Sequence, residues 1–214
     1  SGIPGFPLLF KGYDNGFELR DYHYSSDNPY ADMNEDSIPD MALSRLPALN
    51  LEEYRTQVNK LIQYETDPPT RPDYYNKPII TSSYEENKWF LITSQSVNGF
   101  YRNKLGLQPK NFYMLYEYTS DEILPPETAW SSAYNTDAVV DYFGPNGQNY
   151  IAQRPDTLNS WRYMFDYSYL VDALNESAFL TLYRDHSSYD LWCSPWMENN
   201  VVKTLTNTDP TFNR

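Results

Sequence analysis

The sequence predicts an α/β fold built on a mainly parallel sheet. Apolar stretches of strand length alternate along the chain with segments of helical periodicity, giving strand, helix, strand, helix, strand, helix, strand. One stretch, Ala178 to Tyr183 (AFLTLY), is nearly continuously apolar, as expected of a strand in the middle of a sheet covered on both faces. The 214 residues are 40% hydrophobic and include 21 Tyr, 10 Phe and 5 Trp against 8 Gly. That is enough apolar surface for the core of one domain and excludes a disordered chain.

The elements follow in order. Residues 1–30 are punctuated by Gly2, Pro4, Gly5, Pro7, Gly12 and Gly16, which predicts an irregular segment with at most short strands. Residues 31–214 are read as the α/β domain. Ile38 to Arg45 (IPDMALSR) is a short strand candidate, closed by Pro47. Asn50 is an N-cap for a helix over Leu51 to Glu65. Leu51, Tyr54, Val58, Leu61 and Ile62 share one face there, and Glu52 and Glu53 stand in the favourable first turn. The run from Asp67 to Pro72 stops that helix.

Lys77 to Ser82 (KPIITS) predicts a buried strand. Trp89 to Leu105 predicts a helix ended by Gly106, and Asn111 to Tyr118 (NFYMLYEY) a strand with aromatics on both faces. Asp121 to Gln153 is long and turn-rich, the kind of segment that faces ligands. Tyr167 to Asn175 predicts a helix, Ala178 to Tyr183 the apolar strand, and Val201 to Leu205 a helical turn. No internal repeat or low-complexity tract is visible.

Charge and composition exclude several classes of function. With 16 Lys+Arg against 29 Asp+Glu, the net charge is −13. A basic footprint for nucleic acid or for an anionic membrane surface is therefore missing. No apolar run is long enough to span a bilayer. Cys193 is the one cysteine, so an internal disulfide scaffold is ruled out. Ser1-Gly2-Ile3-Pro4 does not read as a signal peptide, but a mature secreted chain would look the same.

Chemistry in a parallel sheet gathers outside the carboxyl ends of its strands. There are two histidines, His23 and His186. His23 lies in a Tyr-rich stretch with no obvious partner. The strand Ala178 to Tyr183 runs directly into Arg184-Asp185-His186-Ser187-Ser188, so His186 stands where such a sheet presents reactive groups.

Two stretches resemble the gingipain-type cysteine endopeptidases. Phe179 to His186, followed by Trp192-Cys193-Ser194-Pro195, is similar to the family's catalytic-histidine segment. Tyr30 to Pro47 is similar to its acidic loop, with alternating Asp and Asn, then Pro39-Asp40 and a stretch ending in Arg45-Leu46-Pro47. Val58-Asn59-Lys60, Tyr64-Glu65 and Tyr74-Tyr75-Asn76 add to the match, which runs over residues 20–205.

The resemblance implies a caspase-like three-layer sandwich and a secreted or cell-surface endopeptidase with a Cys-His dyad. His186 takes the role of general base or ion-pair partner of the thiolate. The Ser187 backbone N–H becomes a donor to the oxyanion. For the acid that orients the histidine, Glu127, Asp137 and Asp141 are the candidates, Glu127 first. Enzymes of this type tend to cleave after Arg or Lys, which an acidic chain would suit.

Three departures stand out. Ser187 replaces a Gly, at a strain cost of about 1 kcal/mol if φ must be positive. Ser194 replaces an Asp before Pro195. The family's nucleophilic cysteine falls on the next strand, beyond Arg214, so the domain is expected to be cut one strand short. A second chain or a C-terminal segment would complete it. Cys193 itself is read as a buried small hydrophobe, with a relocated nucleophile or a reactive surface thiol as the other readings. The substitutions also motivate a second function, a catalytically inactive homologue acting as a surface or assembly module.

Asp32, Asn34, Asp36 and Asp40 form an alternating run of oxygen donors, the pattern calcium takes. Calcium is the one cofactor expected. Ser37 and Leu43 stand where an EF-hand loop needs Gly and Glu, so the alternative is an acidic turn with Asx caps. The aromatics Tyr22, Tyr24, Tyr30, Tyr64, Tyr74, Tyr75 and Tyr84 are read as core and loop packing, with a carbohydrate platform as the weaker reading.

Overall fold

The computed structural model describes residues 6–14, 17–36, 38–115 and 129–207. It divides into two compact units, residues 1–66 and 67–214.

In the first unit, the described part of residues 1–30 is more regular than expected. β1 (Phe6–Asp14) and β2 (Phe17–Ser26) pair antiparallel from Phe6↔Ser26 to Asp14↔Phe17, with an irregularity between Gly12 and Asp14. Of the residues that signalled irregular chain, Pro7 and Gly12 fall within β1, and the others lie outside the described residues. The strand expected over Ile38 to Arg45 is not formed, and its described residues are exposed. Two of its amides are taken locally instead, Ile38 by Asp36 Oδ1 and Asp40 by the Ala31 carbonyl, both at 2.8 Å.

The helix expected next is α1 (Leu51–Thr66). Its start is a reciprocal capping box. The Glu53 amide donates to Asn50 Oδ1 at 2.9 Å, and Asn50 Nδ2 donates back to Glu53 Oε1 at 2.9 Å.

The second unit opens with the short helix α2 (Pro72–Asn76). Its frame is a four-stranded sheet in the order β5-β4-β3-β6, built from β3 (Ile79–Tyr84), β4 (Lys110–Leu115), β5 (Trp161–Tyr163) and β6 (Thr181–Arg184). Every pairing is parallel: Ile79↔Lys110, Ile79↔Thr181 and Tyr113↔Trp161 set the three registers. Helices α3 (Phe90–Leu105), α4 (Thr136–Phe143) and α5 (Ser168–Asn175) flank it. A two-stranded ribbon of β7 (Leu191–Trp192) and β8 (Met197–Glu198) and the short α6 (Asn199–Val202) follow.

The layers follow from the strand period of two. On β4, Tyr113 and Leu115 point to one face. There they join Leu91 and Ile92 of α3, Val140 of α4, Trp130, Ile151 and Trp161. Phe112 points to the other face and packs with Ile79, Leu170 and Ala173 of α5, and Met197. Two separate clusters, one on each side of the sheet, make the three-layer sandwich, an arrangement consistent with a caspase-like fold.

The fully covered strand is β3, buried along Ile79 to Ser83, and not β6 as its apolar sequence implied. β6 lies at the sheet edge, with Thr181 and Arg184 exposed. Burial is decided by position in the sheet, and β3 meets the need with small hydroxyl side chains at Thr81, Ser82 and Ser83. The helix α3 runs as expected to Gly106, whose φ of 69° lets the Leu107 amide return to the Tyr101 carbonyl at 3.0 Å. Gly99 on the same helix sits against Tyr150, where an added Cβ would lie 2.1 Å from the Tyr150 carbonyl oxygen. Within the long segment, α4 went unread because it is eight residues between a left-handed Asn135 and Gly144.

Candidate active site

β3 and β6 are parallel neighbours with Ser82 opposite Arg184, so their carboxyl ends open side by side. Continuing β3 by one residue gives Glu85, and continuing β6 by two gives His186. The two side chains meet, with His186 Nε2 3.2 Å from Glu85 Oε2. The imidazole is half-exposed, at 51%, and Glu85 is less so. Phe90, in the first turn of α3, sets its ring edge to face against the imidazole with centroids 5.1 Å apart. The Arg184 guanidinium lies 5.4 Å from the centroid of the same Phe90 ring. His186 is therefore held on one side by a carboxylate and on another by an aromatic ring, with the remainder open to solvent.

The chain after His186 is a tight hairpin. The Cys193 amide donates to the His186 carbonyl at 3.1 Å, and the Ser188 amide to the Leu191 carbonyl at 2.9 Å. Between these bonds Ser187 faces Trp192 as a non-hydrogen-bonded pair, a geometry that turns the Ser187 N–H away from its partner strand. Ser187 is not among the residues with positive φ, so the feared strain at this position is not incurred. The Tyr183 hydroxyl clamps the hairpin from below. It donates to the His186 carbonyl and accepts the Cys193 amide at 3.0 Å. The Tyr183 ring stacks on Trp192 at 4.2 Å.

Strand alternation would put Asp185 on the side opposite His186. β6 ends at Arg184, however, and alternation no longer governs the next residue. Carboxylate oxygens of Asp185 and Glu85 and a ring nitrogen of His186 all lie within 4.8 Å of one another. Both Asp185 oxygens are shut off from solvent, and no donor meets hydrogen-bond geometry at either. Burial pushes the Asp185 carboxyl up from its ordinary value, against the pull of the His186 amide and the Ser83 and Ser194 hydroxyls nearby. Burial and the Asp185 charge also push the Cys193 thiol up.

Of the other expected residues, Glu127 lies outside the described residues. Asp137 and Asp141 are exposed on α4. The carboxylate beside His186 is Glu85, which sequence reading missed. Its only signal was its place immediately after a buried strand. Cys193 is part-buried. Asp32, Asn34, Asp36 and Asp40 gather in one loop, but they serve its backbone. Asp32 Oδ1 and Asn34 Oδ1 each accept the Asp36 amide at 3.1 Å, Asp36 Oδ1 accepts the Ile38 amide at 2.8 Å, and Asp40 Oδ2 accepts the Met33 amide at 2.8 Å. Tyr74 and Tyr75 meet edge to face at 87°, which is not a flat sugar platform.

A parallel sheet in three layers, with an open imidazole and a carboxylate side by side at its strand ends, makes an α/β domain consistent with a caspase-like fold. The chain belongs to peptidase family C25, the gingipain family of cysteine peptidases, whose model matches residues 3–212. No curated protein and no solved structure gives a significant match.

In this arrangement Glu85 contacts the imidazole at Nε2. Glu85→Gln in the complete protein is expected to lower kcat for peptide cleavage about 10- to 100-fold with KM little changed. Steady-state kinetics on a fluorogenic peptide checks the split. A rise in KM at constant kcat would assign Glu85 to substrate binding instead.

Proposed function

We propose that this chain carries the general base of a secreted cysteine endopeptidase. In this reading the nucleophilic thiol belongs to polypeptide outside residues 1–214, on a strand that adds in parallel to the open edge of β6. The observation that carries the reading is the exposed His186 imidazole, braced by Glu85, at the carboxyl end of an edge strand. A strand paired there would end next to His186, within reach of a thiol-to-imidazole proton transfer. Ser187 would offer its N–H to the tetrahedral oxyanion. The net charge of −13 supports a preference for Arg or Lys at the cleaved bond. Among the described residues no helix is long and apolar enough to cross a membrane.

Cys193 is not the nucleophile in this reading. A nucleophilic thiol needs a lowered pKa, and that of Cys193 is raised. With the folded value above the ordinary one, the thiol stays protonated at neutral pH, and its thiolate fraction grows only as pH rises through that higher value. Alkylation of Cys193 by iodoacetamide is therefore expected to be slow at pH 7 and to accelerate above the ordinary thiol range. Cys193→Ala is expected to leave peptide cleavage within about twofold while the enzyme stays sensitive to thiol reagents. Loss of activity in Cys193→Ala would overturn the assignment. Absence of peptidase activity in the complete protein, with a panel of Arg, Lys and neutral peptides, would favour the inactive surface or assembly module.

Calcium on the Asp32 to Asp40 loop stays a separate proposal. Those side-chain oxygens already accept loop amides, so an ion must compete with them. Millimolar calcium is expected to raise Tm, and Asp36→Asn to abolish the rise. An unchanged Tm would reject the ion.

A further inference from the structure

Sites for divalent ions are recognised by convergent donors of suitable softness. Among the described residues one group qualifies: Glu85, Asp185 and His186, with one ligand atom each inside a 4.8 Å span. We propose that Glu85, Asp185 and His186 form a binding site for one Zn2+ ion.

Three observations support the assignment. The first is spacing. Glu85 Oε2 and His186 Nε2 stand 3.2 Å apart. Two ligands at tetrahedral angles on bonds of about 2.0 Å are separated by about 3.3 Å, so these atoms already sit as a pair of zinc ligands. The second is the state of Asp185. A carboxylate sealed from water, with only the neutral His186 amide and the Ser83 and Ser194 hydroxyls beside it, is held by dipoles rather than by a full positive charge. A cation between it and Glu85 supplies the missing counter-charge. The third is the donor set. One imidazole nitrogen with two carboxylates suits zinc, whereas calcium and magnesium prefer oxygen alone. Three protein ligands leave a fourth position for water.

The half-exposed His186 and the part-exposed Glu85 give the ion a route in from solvent. Once bound at Nε2, it holds the imidazole in the tautomer that carries the proton on Nδ1, leaving no ring lone pair to act as a base. Zinc is then a reversible inhibitor, a consequence that rests on the peptidase reading above. The binding itself does not.

The test is calorimetric titration of ZnCl2 into the protein, with the Co2+ visible spectrum as a second readout. One ion per chain is expected at micromolar affinity, with the intense absorption of tetrahedral Co2+. Asp185→Asn and Glu85→Gln should each weaken binding about tenfold or more, while His23→Gln should leave it unchanged. Either variant alone suffices if the other does not fold, as judged by circular dichroism. Zinc binding that survives both substitutions undiminished, or no binding at concentrations well above micromolar, overturns the site. In the complete protein, zinc should slow peptide cleavage and a chelator should restore it. Cleavage that is absent with or without zinc, while one ion still binds, would sink the peptidase reading and leave the site standing.

Discussion

Replacing His186 with alanine is expected to lower kcat/KM for peptide cleavage by about 10²- to 10⁴-fold in the complete protein. The imidazole is the nitrogen base that this reading places at the strand ends to take the proton of a thiol. It is presented at 51% exposure rather than packed into a core. For the same reason the substitution should hardly touch stability, with Tm within about 2 °C of the parent. The backbone bonds that hold the hairpin, from the Cys193 amide and the Tyr183 hydroxyl to the His186 carbonyl, do not need the side chain. Kinetics and thermal melting together decide the matter. Activity retained within twofold, in a variant that melts normally, would remove His186 from the chemistry.

Trp130→Ala is expected to destabilise the second unit by about 3–5 kcal/mol, lowering Tm by roughly 6–20 °C. Trp130 is 1% exposed and lies among Leu91, Ile92, Val140, Ile151 and Trp161 on one face of the sheet. Its indole N–H donates to the Ala152 carbonyl at 3.0 Å, so truncation leaves both a cavity and an acceptor without its donor. Leu49→Ala, at a residue 95% exposed, should change stability by less than about 0.5 kcal/mol and serves as the control. Thermal or denaturant unfolding followed by circular dichroism gives both values. A loss below about 1 kcal/mol at Trp130 would mean that this cluster does not hold the sheet to α3.

The parts legible in the sequence are those written by local rules. Asn50 and Glu53 cap α1 through bonds between residues three apart, so the start of that helix could be read without knowing anything else. Gly106 stops α3 because the turn needs a positive φ. His186 could be singled out because an apolar strand runs straight into it. The failures share the opposite property. Ala178 to Tyr183 and Lys77 to Ser82 are both apolar, and nothing local says which becomes the covered strand. The structure makes β3 the covered one and β6 the edge, because of these two strands β3 has a hydrogen-bonded neighbour on each side and β6 on one. The hairpin of β1 and β2 was hidden behind its own glycines and prolines. Its strands are held by pairing across the turn, not by any pattern within one of them.

What the residues settled unaided was a class: an acidic α/β chain of the gingipain type, with a histidine just past its last apolar strand. Which groups surround that histidine was decided by tertiary structure. Glu85 and His186 are 101 positions apart, and no spacing rule links them. They meet because β3 and β6 pair in parallel with Ser82 opposite Arg184, which brings the residues just beyond each strand side by side. Asp185 joins them only because β6 ends one residue before it. Periodicity is a property of neighbours along the chain, whereas a site is a property of neighbours in space. Backbone pairing between distant strands is what converts the one into the other.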